Sequence, residues 1–140
     1  MFEKVLVGVD LSYDERNTKT LQTAVSIANA NNGSLRLVYV RSSLVSIAPA
    51  YIPPGTMEAD EKAVLADLQA LADTLDIPSD RVSVASPADR AYSGIVSEAA
   101  AFGADLIVIG AHSPSMTKFL LGSDAHRVVQ HAPISVLVAR

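Results

Sequence analysis

The chain is 140 residues long with a formal net charge of −4, and 49% of its residues are hydrophobic against 19% charged. That balance, with a mean hydropathy of +0.28, excludes an intrinsically disordered chain, and 11 scattered Lys and Arg exclude the basic face that nucleic acid or an anionic membrane surface requires. With no cysteine, disulfide frameworks, thiol catalysis and thiolate metal sites are excluded as well.

The length suits a single domain over residues 1–140, which buries roughly 70% of the surface its unfolded chain exposes. Met1-Phe2-Glu3-Lys4 runs straight into a strand-like segment without the basic start and apolar core of a signal peptide. No segment approaches the ~18 uninterrupted apolar residues of a membrane span. The expected location is the cytoplasm, with neither membrane nor nucleic acid as a partner.

Five short β-branched runs alternate with helical patterns, the signature of βαβ units and a parallel α/β sheet covered by helices on both faces. The first strand is expected over residues 4–10. The first helix should start at Ser12, which has capping-box spacing to Glu15, with Leu21, Ala24, Val25 and Ala28 on its inner face and Asn31-Asn32-Gly33 ending it. A strand over 34–41 follows. From 42 to 57 the periodicity fails, and Pro49, Pro53, Pro54 and Gly55 punctuate a stretch that reads either as a lid or as a passive connection. The second helix is expected over 58–75, with Leu65, Leu68, Ala72 and Leu75 turned inward and Asp60-Glu61 on a solvated face. A strand over 81–85 leads into a third helix over 88–102 that buries Ala91, Ile95, Ala99 and Phe102, with Gly103 as its C-cap. A fourth strand over 105–110, a helix over 123–130 and a last strand over 134–139 complete the chain.

In an open parallel sheet, ligands bind beyond the carboxyl ends of the strands where the strand order reverses. Two strand ends here carry suitable chemistry. At Gly8-Val9-Asp10-Leu11-Ser12 a carboxylate emerges just past a buried strand, placed to accept hydrogen bonds from ribose hydroxyls or a base amino group, or else to buttress the following turn. At Gly110-Ala111-His112-Ser113 through Gly122-Ser123, a small-residue loop returns into a helix start whose backbone N–H groups and dipole favour an anion; Gly-Ser is equally an ordinary N-cap. Together they outline a nucleotide-shaped cleft.

The same residues resemble the universal stress proteins along the whole chain. Val5-Leu6-Val7-Gly8-Val9-Asp10-Leu11-Ser12 is similar to that family's opening strand, Ser86-Pro87-Ala88-Asp89-Arg90 to its turn into the third helix, Gly110-Ala111-His112 through Gly122-Ser123 to its nucleotide loop, and Ala132-Pro133-Ile134-Ser135-Val136-Leu137-Val138 to its closing strand. The resemblance implies a doubly wound, Rossmann-like five-stranded sheet of order 3-2-1-4-5 and binding of ATP, ADP or AMP. Carried over by position, it implies that Asp10 contacts ribose or adenine and that Val9 and Val40 line the adenine pocket. Gly110, Ala111, His112 and Ser113 would pass under the ribose and first phosphate, and Gly122, Ser123 and Asp124 would face the phosphates.

The family's ATP pattern is usually written Gly-x2-Gly-x9-Gly-Ser/Thr. Here Ser113 takes the second glycine position and eight residues separate it from Gly122. With His112, Pro114, Thr117 and Leu120-Leu121-Gly122-Ser123, the shorter loop looks like the F/G-type branch. Pro114 withholds an N–H from the loop. Asp124 either complements the helix dipole or helps hold Mg²⁺ against a triphosphate. His112, His126 and His131 lack metal-site spacing, and Lys118 reads as a solvated loop lysine or a phosphate contact. No general base or nucleophile pair can be named, so catalytic residues are unknown.

In the implied order, Ile134-Ser135-Val136-Leu137-Val138 is an apolar edge strand, and a two-fold homodimer pairing these strands would cover it. The leading functional reading is a stress-response regulator or protectant acting through its nucleotide-bound state. A same-fold interaction protein with a vestigial site is one alternative. A slow ATPase or self-phosphorylating protein, with Ser113, Ser115, Thr117 or Ser123 as acceptor, is the other.

Overall fold

The computed structural model describes residues 1–11, 14–41, 53–111 and 121–140, the side chains of 14–17 excepted. In chain order the elements are β1 (Lys4–Gly8), α1 (Asp14–Ala30), β2 (Ser34–Val38), α2 (Thr56–Asp73), a 3₁₀ turn (Ser79–Arg81), β3 (Val82–Ala85), α3 (Ala91–Phe102), β4 (Leu106–Gly110), α4 (Ser123–His131) and β5 (Ser135–Ala139). The five strands form one parallel sheet of order β3-β2-β1-β4-β5.

Period-two alternation along the central strands divides the core between the two faces of the sheet. Val5 and Val7 of β1, Leu35 and Leu37 of β2, and Leu106 and Val108 of β4 meet Leu21, Ala24, Val25 and Ala28 of α1 and Leu68 and Ala72 of α2. The intervening residues Leu6, Val38, Ile107 and Ile109 meet Ala99 of α3 and Ala125 and Val128 of α4. Among the described residues, the largest fully buried side chains include Leu6, Leu35, Leu37, Leu68 and Ile107. Burial of each such side chain stabilises the fold by about 1.5–3 kcal/mol, so a polar replacement on either face removes a large part of a marginal total.

Three bonds fasten the start of β1 to the start of β4. The Asp105 carboxylate accepts from the amides of Glu3 (2.9 Å) and Lys4 (3.0 Å), and the Asp105 amide donates to the Lys4 carbonyl (2.9 Å). At the same end, Gly33 passes against the backbone of Glu3, where an added Cβ would lie 2.5 Å from the Glu3 carbonyl oxygen. Neither backbone can yield without breaking the Ser34 amide to Glu3 carbonyl bond of 2.8 Å. Gly33→Ala is therefore expected to cost about 1–3 kcal/mol, read as a fall in Tm of roughly 5–10 °C.

Several element ends differ from expectation for local reasons. α3 begins at Ala91 rather than at 88, because residues 87–89 are held in extended pairing with Arg41: the Arg41 amide donates to Pro87 (2.9 Å) and the Asp89 amide to Arg41 (3.1 Å). α2 runs two residues earlier at both ends than expected, starting after Gly55, and its inner face is Val64, Leu68, Leu71, Ala72 and the following Leu75 rather than one that includes Leu65. Asp60 and Glu61 do not face solvent alone, since their carboxylates stand 3.8 and 3.6 Å from the Arg41 guanidinium. Gly103 caps α3 in the left-handed conformation with φ 72°, as expected for a residue without Cβ strain. The Ser12 cap lies outside the described residues, as do residues 42–52 of the lid or connection expected over 42–57, whose last two residues belong to α2.

Candidate functional site: the cleft between the first and fourth strands

β1 leads outward to β2 and β3 on one side and to β4 and β5 on the other, so the order reverses between β1 and β4. Their carboxyl ends splay around a cleft of about 280 Å³. Gly8, Val9 and Asp10 form the end of one wall, and Ile109 and Gly110 form the other. Val38, Tyr39 and Val40 continue the first wall beyond β2, where the Val9 amide still bonds to the Val38 carbonyl (2.8 Å). Ala91 and Ile95 of α3 close one side, and Thr20 of α1 another. Asp124, Ala125 and Val128 bring the first turns of α4 to the rim.

The bonding beyond β2 fixes which way its backbone faces. The Tyr39 amide donates to Ala85 (3.3 Å), while the Arg41 amide and carbonyl bond to Pro87 and Asp89, so residues 39 and 41 both turn toward β3. Successive residues of an extended strand direct their peptide groups to opposite sides. The N–H and C=O of Val40 therefore point the other way, across the cleft.

Gly110 has its α-carbon turned toward Thr20: an added Cβ would meet the Thr20 hydroxyl at 3.4 Å and nothing else nearby among the described residues. On the rim the Gly122 amide donates to the Ala111 carbonyl (2.8 Å), and the Ala111 amide to Ala139 of β5 (3.0 Å). Gly122 is itself the N-cap of α4, without a side-chain cap, and its carbonyl accepts the His126 amide at 2.8 Å. Ser123 and Asp124 thus occupy the first turn of α4 and are exposed.

Of the residues singled out from the sequence, Val9, Asp10, Val40, Gly110 and Asp124 line the cleft, and Ala111, Gly122 and Ser123 frame its rim. His112 and Ser113 lie outside the described residues, with Pro114, Ser115, Thr117 and Lys118. Ala91 and Ile95, expected as core, are half-buried because the face they occupy borders the cleft. Phe102, also expected as core, packs half-buried against that core and carries cations on its ring as well, with Arg36 4.3 Å and Lys4 5.4 Å from the ring centroid. Thr20 and Tyr39 carried no motif. Thr20 could have been found as the polar residue in line with Ala24 and Ala28 on the buried face of α1.

No group of three His, Asp or Glu that could hold a metal occurs among the described residues. The lining carries two carboxylates, Asp10 and Asp124, and no lysine or arginine among the described residues. An anion here would meet backbone N–H groups and a helix N-terminus. Also among the described residues, no helix is long and apolar enough to cross a membrane.

A doubly wound parallel sheet with a cleft at the reversal of strand order defines a class of α/β proteins that take ligands at this crevice. Within that class the chain belongs to the universal stress protein family, whose model matches residues 1–140. It is 26% identical over 148 residues to universal stress protein G of Shigella flexneri, covering all of both chains. Among solved structures, universal stress protein UspA from Lactobacillus plantarum is 25% identical with a TM-score of 0.68, over 99% of this chain and 98% of that one. The universal stress protein from Archaeoglobus fulgidus in complex with dAMP is 19% identical with a TM-score of 0.65, over 99% and 98% of the two chains.

Proposed function

We propose that this chain binds an adenine nucleotide in the cleft between β1 and β4 and acts in the cytoplasm as a regulator or protectant in stress through its nucleotide-bound state. The observation that carries the reading is the pairing, across one crevice, of Asp10 with Gly110 and the first turn of α4. The cleft volume of about 280 Å³ is close to the lower end of small-ligand sites, ~300–1,000 Å³. It suits base and ribose, with the phosphates directed along Gly110 to the rim at Gly122, Ser123 and Asp124. Val9 and the Val40 peptide face the base; Ala111, His112 and Ser113 follow the ribose and first phosphate. The dAMP bound by the Archaeoglobus protein supports the ligand class. Among the described residues β5 has β4 as its sole strand neighbour, which supports a homodimer built on Ile134–Val138.

Titration calorimetry with ATP, ADP and AMP, each with and without Mg²⁺, tests the proposal. Heat of binding at micromolar to millimolar nucleotide is expected, and Mg²⁺ should favour ATP over AMP because Asp124 can share the ion with phosphate oxygens. Absence of heat at millimolar nucleotide would instead favour an interaction protein with a vestigial site, a reading that the two carboxylates in the lining also motivate. Asp10→Asn is expected to weaken binding of all three nucleotides by about 10–100-fold, since a hydrogen bond to a charged group contributes about 1.5–3 kcal/mol. An equal Kd for the variant and the parent would remove Asp10 from the site.

A further inference from the structure

Arg41 is 8% exposed and Ser86 6%, a charged and a hydroxyl side chain buried together just outside the cleft, with no part in the site as described above. The Arg41 Nε donates to the Ser86 hydroxyl (3.1 Å) and carbonyl (3.0 Å), and Nη2 to the same carbonyl (2.9 Å). The Ser86 hydroxyl in turn donates its single proton to the Tyr39 carbonyl at 2.7 Å. The carboxylates of Asp60 and Glu61, at 3.8 and 3.6 Å and about half exposed, lie beyond hydrogen-bond distance of the guanidinium. Nη1 reaches the Met57 carbonyl at 3.5 Å.

Burying a guanidinium among carbonyls is costly unless its bonds are good ones. The close bonds here converge on one serine, and that serine passes the polarisation to one peptide. The Tyr39 carbonyl and the Val40 N–H belong to the same planar trans peptide, so a carbonyl held toward β3 holds the N–H toward the cleft. Binding groups have to be kept within about 0.5 Å of their working geometry by groups behind them.

We propose that Arg41 and Ser86 are positioning residues for the base, a buried relay that sets the direction of the Val40 peptide and with it the preference for adenine over guanine. Adenine presents an acceptor at N1 and a donor at N6, and guanine the reverse at N1 and O6, so a fixed peptide edge discriminates where a loose one does not. The inference rests on nucleotide binding in the cleft. It adds residues that do not touch the ligand.

The test is the ratio of Kd values for GTP and ATP, measured by calorimetry with Mg²⁺ on the parent, Ser86→Ala and Arg41→Lys. Ser86→Ala removes the relay with one atom and leaves the guanidinium its carbonyl partner. The parent should prefer ATP, and the ratio should fall at least about threefold in Ser86→Ala, with ATP affinity down about tenfold. Arg41→Lys, which cannot reproduce the forked contact, should move the ratio in the same direction. Partial unfolding scales both Kd values alike and leaves the ratio in place. A parent that binds ATP and GTP equally, or a ratio unchanged in Ser86→Ala, overturns the inference while nucleotide binding stands. A parent that binds neither removes the binding proposal itself, and this inference with it.

Discussion

Gly110→Val is expected to raise the Kd for every adenine nucleotide by about 100-fold or more with the fold intact. The position is exposed at the carboxyl end of β4, and among the described residues its missing Cβ would meet only the Thr20 hydroxyl, at an ordinary contact distance of 3.4 Å. A β-branched residue is well suited to a strand, so Tm should stay within about 2 °C of the parent, as for most surface substitutions. The two methyl groups would extend from β4 toward Thr20 into the cleft that Gly110, Thr20 and Asp10 line together, the space proposed for the nucleotide. Calorimetry and a melting curve on one preparation decide the matter. Retained affinity with a normal melt would mean that the ligand does not approach β4.

Gly94→Ala is expected to act on the opposite wall and to change both stability and affinity. The added Cβ would stand 2.7 and 2.8 Å from the two Val40 methyl groups and 3.3 Å from the Val40 Cβ. Valine is stiff at χ1, so relief comes chiefly from moving α3 away from the end of β2. Overpacking of this kind costs about 1–3 kcal/mol. The gain in helix propensity from Gly to Ala returns at most about 1 kcal/mol, so the net effect is a loss of about 1 kcal/mol. Because Val40, Ala91 and Ile95 share the cleft, ATP affinity should fall about tenfold. Affinity equal to the parent, with the stability loss present, would show that the spacing of α3 from β2 does not set the pocket.

Those two glycines mark how much of the molecule its sequence alone reveals. The parallel sheet and its two helical layers were legible because Val5-Leu6-Val7 and Leu106-Ile107-Val108-Ile109 are short β-branched runs apolar on both faces, a pattern that suits a doubly covered strand. Asp10 and Gly110 were legible because chemistry at a strand end stands out against such runs. Gly94 was not, since its significance is a distance to Val40 across two elements, and no local pattern records a distance. Arg41 was hidden for a related reason. Its partners are a serine 45 residues away and two acidic residues of α2 that read, on periodicity alone, as a solvated face. Ala91 and Ile95 fitted the helical period for burial, and the period does not distinguish a face against protein from a face against a ligand cavity.

The Asp105 carboxylate that gathers the amides of Glu3 and Lys4 has a consequence for the order in which the molecule can be assembled. β1 is synthesised before the other four strands yet lies at the centre of the sheet, and its second neighbour in space arrives about a hundred residues later. A ribosome that has released β1 through β3 has made a three-stranded sheet whose most apolar strand is a bare edge, open to any other chain. Closing contacts of such long sequence separation are slow to form, and unpaired strand edges are where partly made chains associate wrongly. The arrival of Asp105 ends that exposure, since the same residue that begins β4 also takes hold of the start of β1.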